Sequence, residues 1–184
     1  MLKGNLEVAL GLETVHPGIS VSLNKKMSLE SFIKAADFLN ENDILTRAFI
    51  LLKTPYMDEE EGIFWAERSI DFAFSQGIRC CSVIPVRAGN GAMEYLQQHG
   101  YYSPPLISSL EKVMEYGISL GCGRVFADTW DLKMFSDCSK CLEKRIARIT
   151  EMNLTQKIPA LVRCSCEKVK ECKVKYLSPE WHPR

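Results

Sequence analysis

Thr46-Arg47-Ala48-Phe49-Ile50-Leu51-Leu52 is a near-continuous apolar run of strand length, stopped by Pro55 and the acidic Asp58-Glu59-Glu60-Glu61. A run with so little alternation is what a strand buried on both faces requires. Helical patterns flank it. Upstream, Ser28 can cap a helix reaching about Asn42, with Leu29, Phe32, Ile33, Ala36 and Leu39 on one side at the 3.6-residue period. Downstream, Asp58 and Glu61 have capping-box spacing and open a helix carrying Ile63, Phe64, Ile70 and Phe74 that ends at Gly77. The acids suit the positive end of that helix's dipole, so they read as caps rather than as catalytic groups.

The same alternation extends outward. Leu6–Leu12 is strand-like, as are Ile78–Pro85 and Arg124–Ala127. A short helix is expected over Ala92–His99. Ser108 and Glu111 form a second capping-box pair, opening a helix with Leu110, Val113, Met114 and Ile118 that ends at Gly121. Strands alternating with helices predict an α/β domain with a parallel sheet. With only five residues before it, the strand over residues 6–12 lacks a partner on one side. The expectation is an interrupted fold, with Val8 and Leu10 facing the interior of a missing half.

The 184 residues are 46% hydrophobic and 25% charged, ordinary for a globular chain. No run approaches the ~20 apolar residues of a membrane helix and no charged leader precedes an apolar stretch, so no membrane partner and a cytoplasmic location are expected. The formal net charge of zero conceals an asymmetry. Residues 1–137 hold 12 Lys+Arg against 18 Asp+Glu, whereas residues 138–184 hold 11 against 5. We therefore divide the chain near Asp137 into an acidic body, 1–137, and a Cys-rich basic appendix, 138–184. The appendix carries a helix over Leu142–Asn153 with Lys144, Arg145 and Arg148 on a basic side. A polyanion such as RNA is one partner this charge suits, and a solvated lysine-rich terminus is the other reading.

Of eight cysteines, four are spaced for a metal: Cys138-x-x-Cys141 and Cys164-x-Cys166. A turn brings each pair to one side, and two pairs complete the four-thiolate set of structural zinc. An iron–sulfur cluster or four free thiols are the alternatives, with Cys172 a substitute ligand. A closed four-thiolate site leaves no open coordination position, so no catalytic role is expected of it. Cys80, Cys81 and Cys122 read as small buried apolar residues. His16, His99 and His182 show no ligand spacing and read as surface residues.

Three stretches, in order, carry a family resemblance. They are Leu10-Gly11-Leu12-Glu13-Thr14 with Leu23-Asn24-Lys25-Lys26-Met27; Arg47 through Pro55; and Val83-Ile84-Pro85-Val86-Arg87-Ala88-Gly89-Asn90-Gly91, continuing through Tyr95-Leu96 to Gly100-Tyr101-Tyr102-Ser103-Pro104-Pro105. Together they resemble the second half of the radical S-adenosylmethionine (SAM) barrel. The nearest branch is the Elongator-type enzymes and the Fe–S oxidoreductases related to the radical-SAM subunit of archaeosine synthase.

The resemblance implies a partial (β/α) barrel, the C-terminal half of a radical SAM barrel, binding SAM at the C-terminal ends of its strands. It places Glu13 near the SAM ribose, Lys25 toward the SAM carboxylate, and Arg87 with Gly89, Asn90 and Gly91 beside the adenine. Lys53 stands at the same mouth with no ligand assigned. The bland alternatives are a turn cap for Glu13, a solvated lysine for Lys25 and ordinary turn glycines. The family's Cys-x3-Cys-x2-Cys set is absent from this sequence, and Met134 stands where a cysteine upstream of Cys138 and Cys141 would complete it. A 4Fe-4S cluster would need ligands from an upstream half, so this chain alone is expected to perform no radical chemistry. The expected partners are that N-terminal half, or a second copy through the residue 6–12 edge. The alternative function is a non-catalytic module whose basic zinc tail holds RNA or a protein.

Overall fold

The computed structural model describes residues 4–19, 27–89, 91–136 and 138–166. Lys25, Asn90, Cys172 and His182 fall outside them. Four strands, β1 (Glu7–Glu13), β2 (Leu45–Leu52), β3 (Cys80–Pro85) and β4 (Arg124–Ala127), form one parallel sheet in the order β1-β2-β3-β4. Val8 lies opposite Thr46, Ala48 opposite Cys81, and Val83 opposite Ala127. The crossovers contain α1 (Leu29–Glu41), α2 (Glu59–Ser75), the short α3 (Ala92–Gln98) and α4 (Ile107–Ser119); α5 (Ser139–Thr155) follows β4. The α/β class with parallel strands is the one the sequence predicts.

Local chemistry sets the helix starts. Ser28 Oγ accepts the Ser31 N–H to begin α1, and Asp58 and Glu61 close the expected capping box of α2. At α4 the expected box does not form. Leu106 is the N-cap, and its N–H is taken by Glu59 Oε1 from α2 at 2.7 Å. Glu111 is drawn instead into the interior, where two arginines meet it.

Only one face of β2 is buried. Thr46, Ala48, Ile50 and Leu52 have no exposed surface, whereas Phe49 is 37% exposed. The former alanine and two aliphatics share one apolar cluster with Phe32 and Ala36 of α1, Ala66 and Ile70 of α2, Val113 and Met114 of α4, and Ile149 and Met152 of α5. The expectation of burial on both faces fails because Phe49 and Leu51 make the second face apolar, although no described layer covers it. Val8 and Leu10 are corrected likewise: they pack toward the helices, and Ala9 and Gly11 occupy the alternate positions. The boundary anticipated near Asp137 separates two stretches that share this cluster.

The open face carries a polar layer. Arg47 of β2 donates from Nε to Glu7 of β1 at 2.6 Å and from Nη1 to Ser82 of β3 at 2.8 Å. Arg124 of β4 approaches the same Glu7 at 3.8 Å, and both guanidiniums lie over the Phe126 ring.

Candidate metal centre and the strand ends

Two separate pieces of chain bring the four cysteines together. Cys138 is the N-cap of α5 and Cys141 sits in its first turn. Cys164 and Cys166 arrive after the chain leaves α5 at Gln156, in left-handed conformation, and runs back along the helix. The Sγ atoms of Cys138 and Cys164 are 3.8 Å apart, those of Cys141 and Cys166 are 3.7 Å apart, and all four lie within 4.8 Å of one another. A tetrahedron with Zn–S bonds of ~2.3 Å has edges of roughly 3.8 Å. The residues therefore fit one tetrahedral ion. A multi-iron cluster interposes several irons and sulfides and holds its thiolates farther apart.

Backbone donors prepare part of this set. The N–H groups of Cys141 and then Lys140 pull the Cys138 thiol down to about 7. The Cys166 N–H likewise lowers Cys164, while the Cys164 thiol beside it pushes Cys166 up to about 12. Cys141 itself is buried.

The returning segment is held by the arginines that the sequence placed on a basic side. Arg145 and Arg148 are only 3% and 4% exposed. Arg148 donates to the carbonyls of Pro159 at 2.8 Å and Ala160 at 2.9 Å, and to Glu115 at 2.7 Å. Arg145 pairs with buried Glu111, which Arg148 also reaches at 3.4 Å, and it donates to the Val162 carbonyl at 3.3 Å. Both are structural clasps. Lys140, Lys144, Lys157 and Arg163 remain exposed around them. Of the other cysteines, Cys80 and Cys81 are buried as expected, and burial raises both thiols; Cys122 is exposed, because it falls in the turn before β4 rather than within a strand.

Of the residues assigned to a SAM site, the described ones, Glu13, Lys53, Arg87, Gly89 and Gly91, lie at or beyond the C-terminal ends of β1, β2 and β3. Glu13 ends β1 at φ +64°, just past a register shift, and its carboxylate folds back over Gly11. A Cβ at Gly11 would stand 2.8 Å from Glu13 Oε1, so glycine is what leaves the carboxylate that position. Lys53 follows β2 at φ +57° and is buried. Its Nζ meets Glu59 at 2.7 Å, Ser103 Oγ at 2.9 Å and the Pro104 carbonyl at 3.4 Å. Three donors thus have three acceptors. The pair borders a cavity of about 350 Å³ whose other walls include Pro105, Leu106 and Phe135.

Arg87 follows β3. It donates to Asp128 at 2.8 Å and to the Trp130 carbonyl at 2.9 Å, and lies 4.8 Å from the Trp130 ring centre. Its Nε is buried without a hydrogen-bond partner among the described residues. Gly89 and Gly91 have φ of +137° and +78°, conformations that side chains disfavour. The loops thus gather Glu13, Lys53 and Arg87 at one end of the sheet, with Lys53 paired to Glu59 and Arg87 to Asp128. Asp128, Trp130 and Glu59 were missed because no spacing in the sequence links them to their partners. His16 accepts the Gly18 and Ile19 N–H groups and packs against Trp65, a role without a sequence signal.

No family model matches the chain. It is 25% identical over 177 residues to an uncharacterised protein of Methanocaldococcus jannaschii, an alignment covering 90% of this chain and 48% of that protein. It is 34% identical over 67 residues to the archaeosine synthase subunit beta of Thermococcus kodakarensis, covering 36% of this chain and 21% of that subunit. With the subunit beta of Methanosarcina acetivorans it shares 28% identity over 113 residues, or 59% of this chain and 32% of the subunit. The chain spans about half the length, or less, of the curated relatives it matches, and part of it is similar to archaeosine synthase subunit beta.

Proposed function

We propose that this chain is the SAM-facing half of a radical-SAM-type (β/α) barrel, from a branch serving RNA modification, with a structural zinc ion on Cys138, Cys141, Cys164 and Cys166. The observation that carries the reading is the gathering of Glu13, Arg87, Gly89 and Gly91 at the C-terminal ends of parallel strands, where barrels bind ligands. The sequential strand order and the open, partly polar face support an arc awaiting its other half. Similarity to archaeosine synthase subunit beta supports the RNA-modifying branch.

Within that reading Glu13 meets the ligand directly. Lys53, through Glu59, and Arg87, through Asp128, position the loops around it. The iron–sulfur ligands belong to the other half, so this half binds without cleaving. The rival reading, a basic module holding RNA, loses two of its three helix cations to buried pairs.

Titration with S-adenosylhomocysteine, followed by backbone amide resonances, tests the reading. Saturable shifts at Glu13, Gly89 and Gly91, abolished by Glu13→Gln, are expected. Absence of shifts up to millimolar ligand would sink it. Elemental analysis is expected to give about one zinc per chain and no iron.

A further inference from the structure

The two edges of the sheet are not alike. In β4 the backbone groups of residues 124, 126 and 128 turn toward β3, as the Arg124 and Asp128 N–H bonds to Arg79 and Val83 carbonyls show. Those of Val125 and Ala127 turn outward, and α5 takes them. Gln156 accepts the Val125 N–H at 2.8 Å and donates to its carbonyl at 2.9 Å. Asn153 does the same for Ala127 at 2.8 and 3.0 Å. Two carboxamides therefore stand where the peptide groups of a fifth strand would. The β4 edge is sealed.

At β1 the Leu45 N–H bonds to the Leu6 carbonyl, so residues 6, 8 and 10 face β2, ahead of the register shift between Gly11 and Glu13. Glu7, Ala9 and Gly11 present their backbone groups outward, and β1 pairs with no strand but β2 among the described residues.

We propose that two copies of this chain pair antiparallel through β1, about a two-fold axis at Ala9. The outward groups are self-complementary under that operation: Ala9 exchanges two hydrogen bonds with its copy, and Glu7 exchanges two with Gly11 of the copy on each side. A methyl side chain sits at the axis, and each Glu7 carboxylate is already neutralised by its own Arg47. The sealed β4 edge excludes the competing head-to-tail arrangement, in which β1 of one copy joins β4 of the next. The product is an eight-stranded sheet with carboxamides on both outer edges. The same β1 edge is the one the proposed other half would take, so the inference is for this chain by itself and rests on the strand edges.

Sedimentation from one to one hundred micromolar tests it. A monomer–dimer equilibrium without larger species is expected, and Ala9→Pro should shift it to monomer. The Ala9 N–H points away from β2, so proline there blocks the edge while keeping the β1–β2 ladder. Amide exchange of the unmodified chain gives a readout independent of the variant. Ala9 and Gly11 should gain protection with concentration, while Val8 and Leu10 stay protected throughout. A monomer over the whole range, a dimer unaffected by Ala9→Pro, or protection at Ala9 and Gly11 that ignores concentration would each overturn the proposal. The last would mean that another part of the chain covers the edge.

Discussion

Glu111 is the residue on which the metal centre and the sheet jointly depend. It is 1% exposed and faces two buried guanidiniums, each of which also holds carbonyls of the segment leading to Cys164. Removing one member of such a group strands the other charges in the interior, a loss of ~3–5 kcal/mol. Glu111→Ala should therefore destabilise by that amount in chemical denaturation. Glu115→Ala, at a half-buried carboxylate that among the described residues bonds only Arg148, should cost much less. The sequence misled at this residue for a physical reason. Ser108 and Glu111 have capping-box spacing, but a carboxylate one turn into a helix can fold back to the cap or reach inward, and the arginines that decide between them lie 34 and 37 residues away. Cys138, Cys141, Cys164 and Cys166 were legible because ligand spacing within each pair is local; that the pairs meet depends on those clasps.

At the scale of elements, periodicity and turn chemistry revealed the four strands and the helices between them to within about two residues, while α5 begins three residues before the expected Leu142. They did not reveal which strand face would be covered, since Phe49 and Leu51 read as core and yet look away from the helices. Nor did they reveal the seal. Asn153 lies in the last turn of α5 and Gln156 caps it in left-handed conformation, and carboxamides at a helix end are ordinarily solvated. Substituting both by leucine removes the four bonds to Val125 and Ala127. Each backbone pair left unsatisfied costs about 1–3 kcal/mol where water is excluded. The doubly substituted chain should lose stability and sediment as species larger than a dimer, since both edges are then open. A variant that unfolds less cooperatively but stays the size of the parent would contradict this role.

For the whole molecule, the parallel sheet and the four-cysteine site are joined by α5, which contributes Ile149 and Met152 to the common core and, with its N-cap Cys138, two of the four cysteines. Metal binding in such a site becomes folding free energy only for what the ion organises. Chelation should accordingly release the segment over residues 157–166 to fast amide exchange and lower the melting temperature, while exchange in β2 and β3 stays slow. Global unfolding on chelation would mean that the ion supports the sheet itself. The parallel α/β sheet was legible in the alternation of strands and helices, whereas the half-barrel proposed above invokes a closure that depends on residues no periodicity in this sequence encodes.

In the language of polymer chemistry, a sheet with two open edges is a bifunctional monomer, and its natural product is a fibre. Under the pairing proposed above, Asn153 and Gln156 make this chain a monofunctional one. Step growth by a monofunctional unit terminates at two, whatever the concentration. On the proposed β1 pairing, two carboxamides, four hydrogen bonds in all, hold the sheet to two copies.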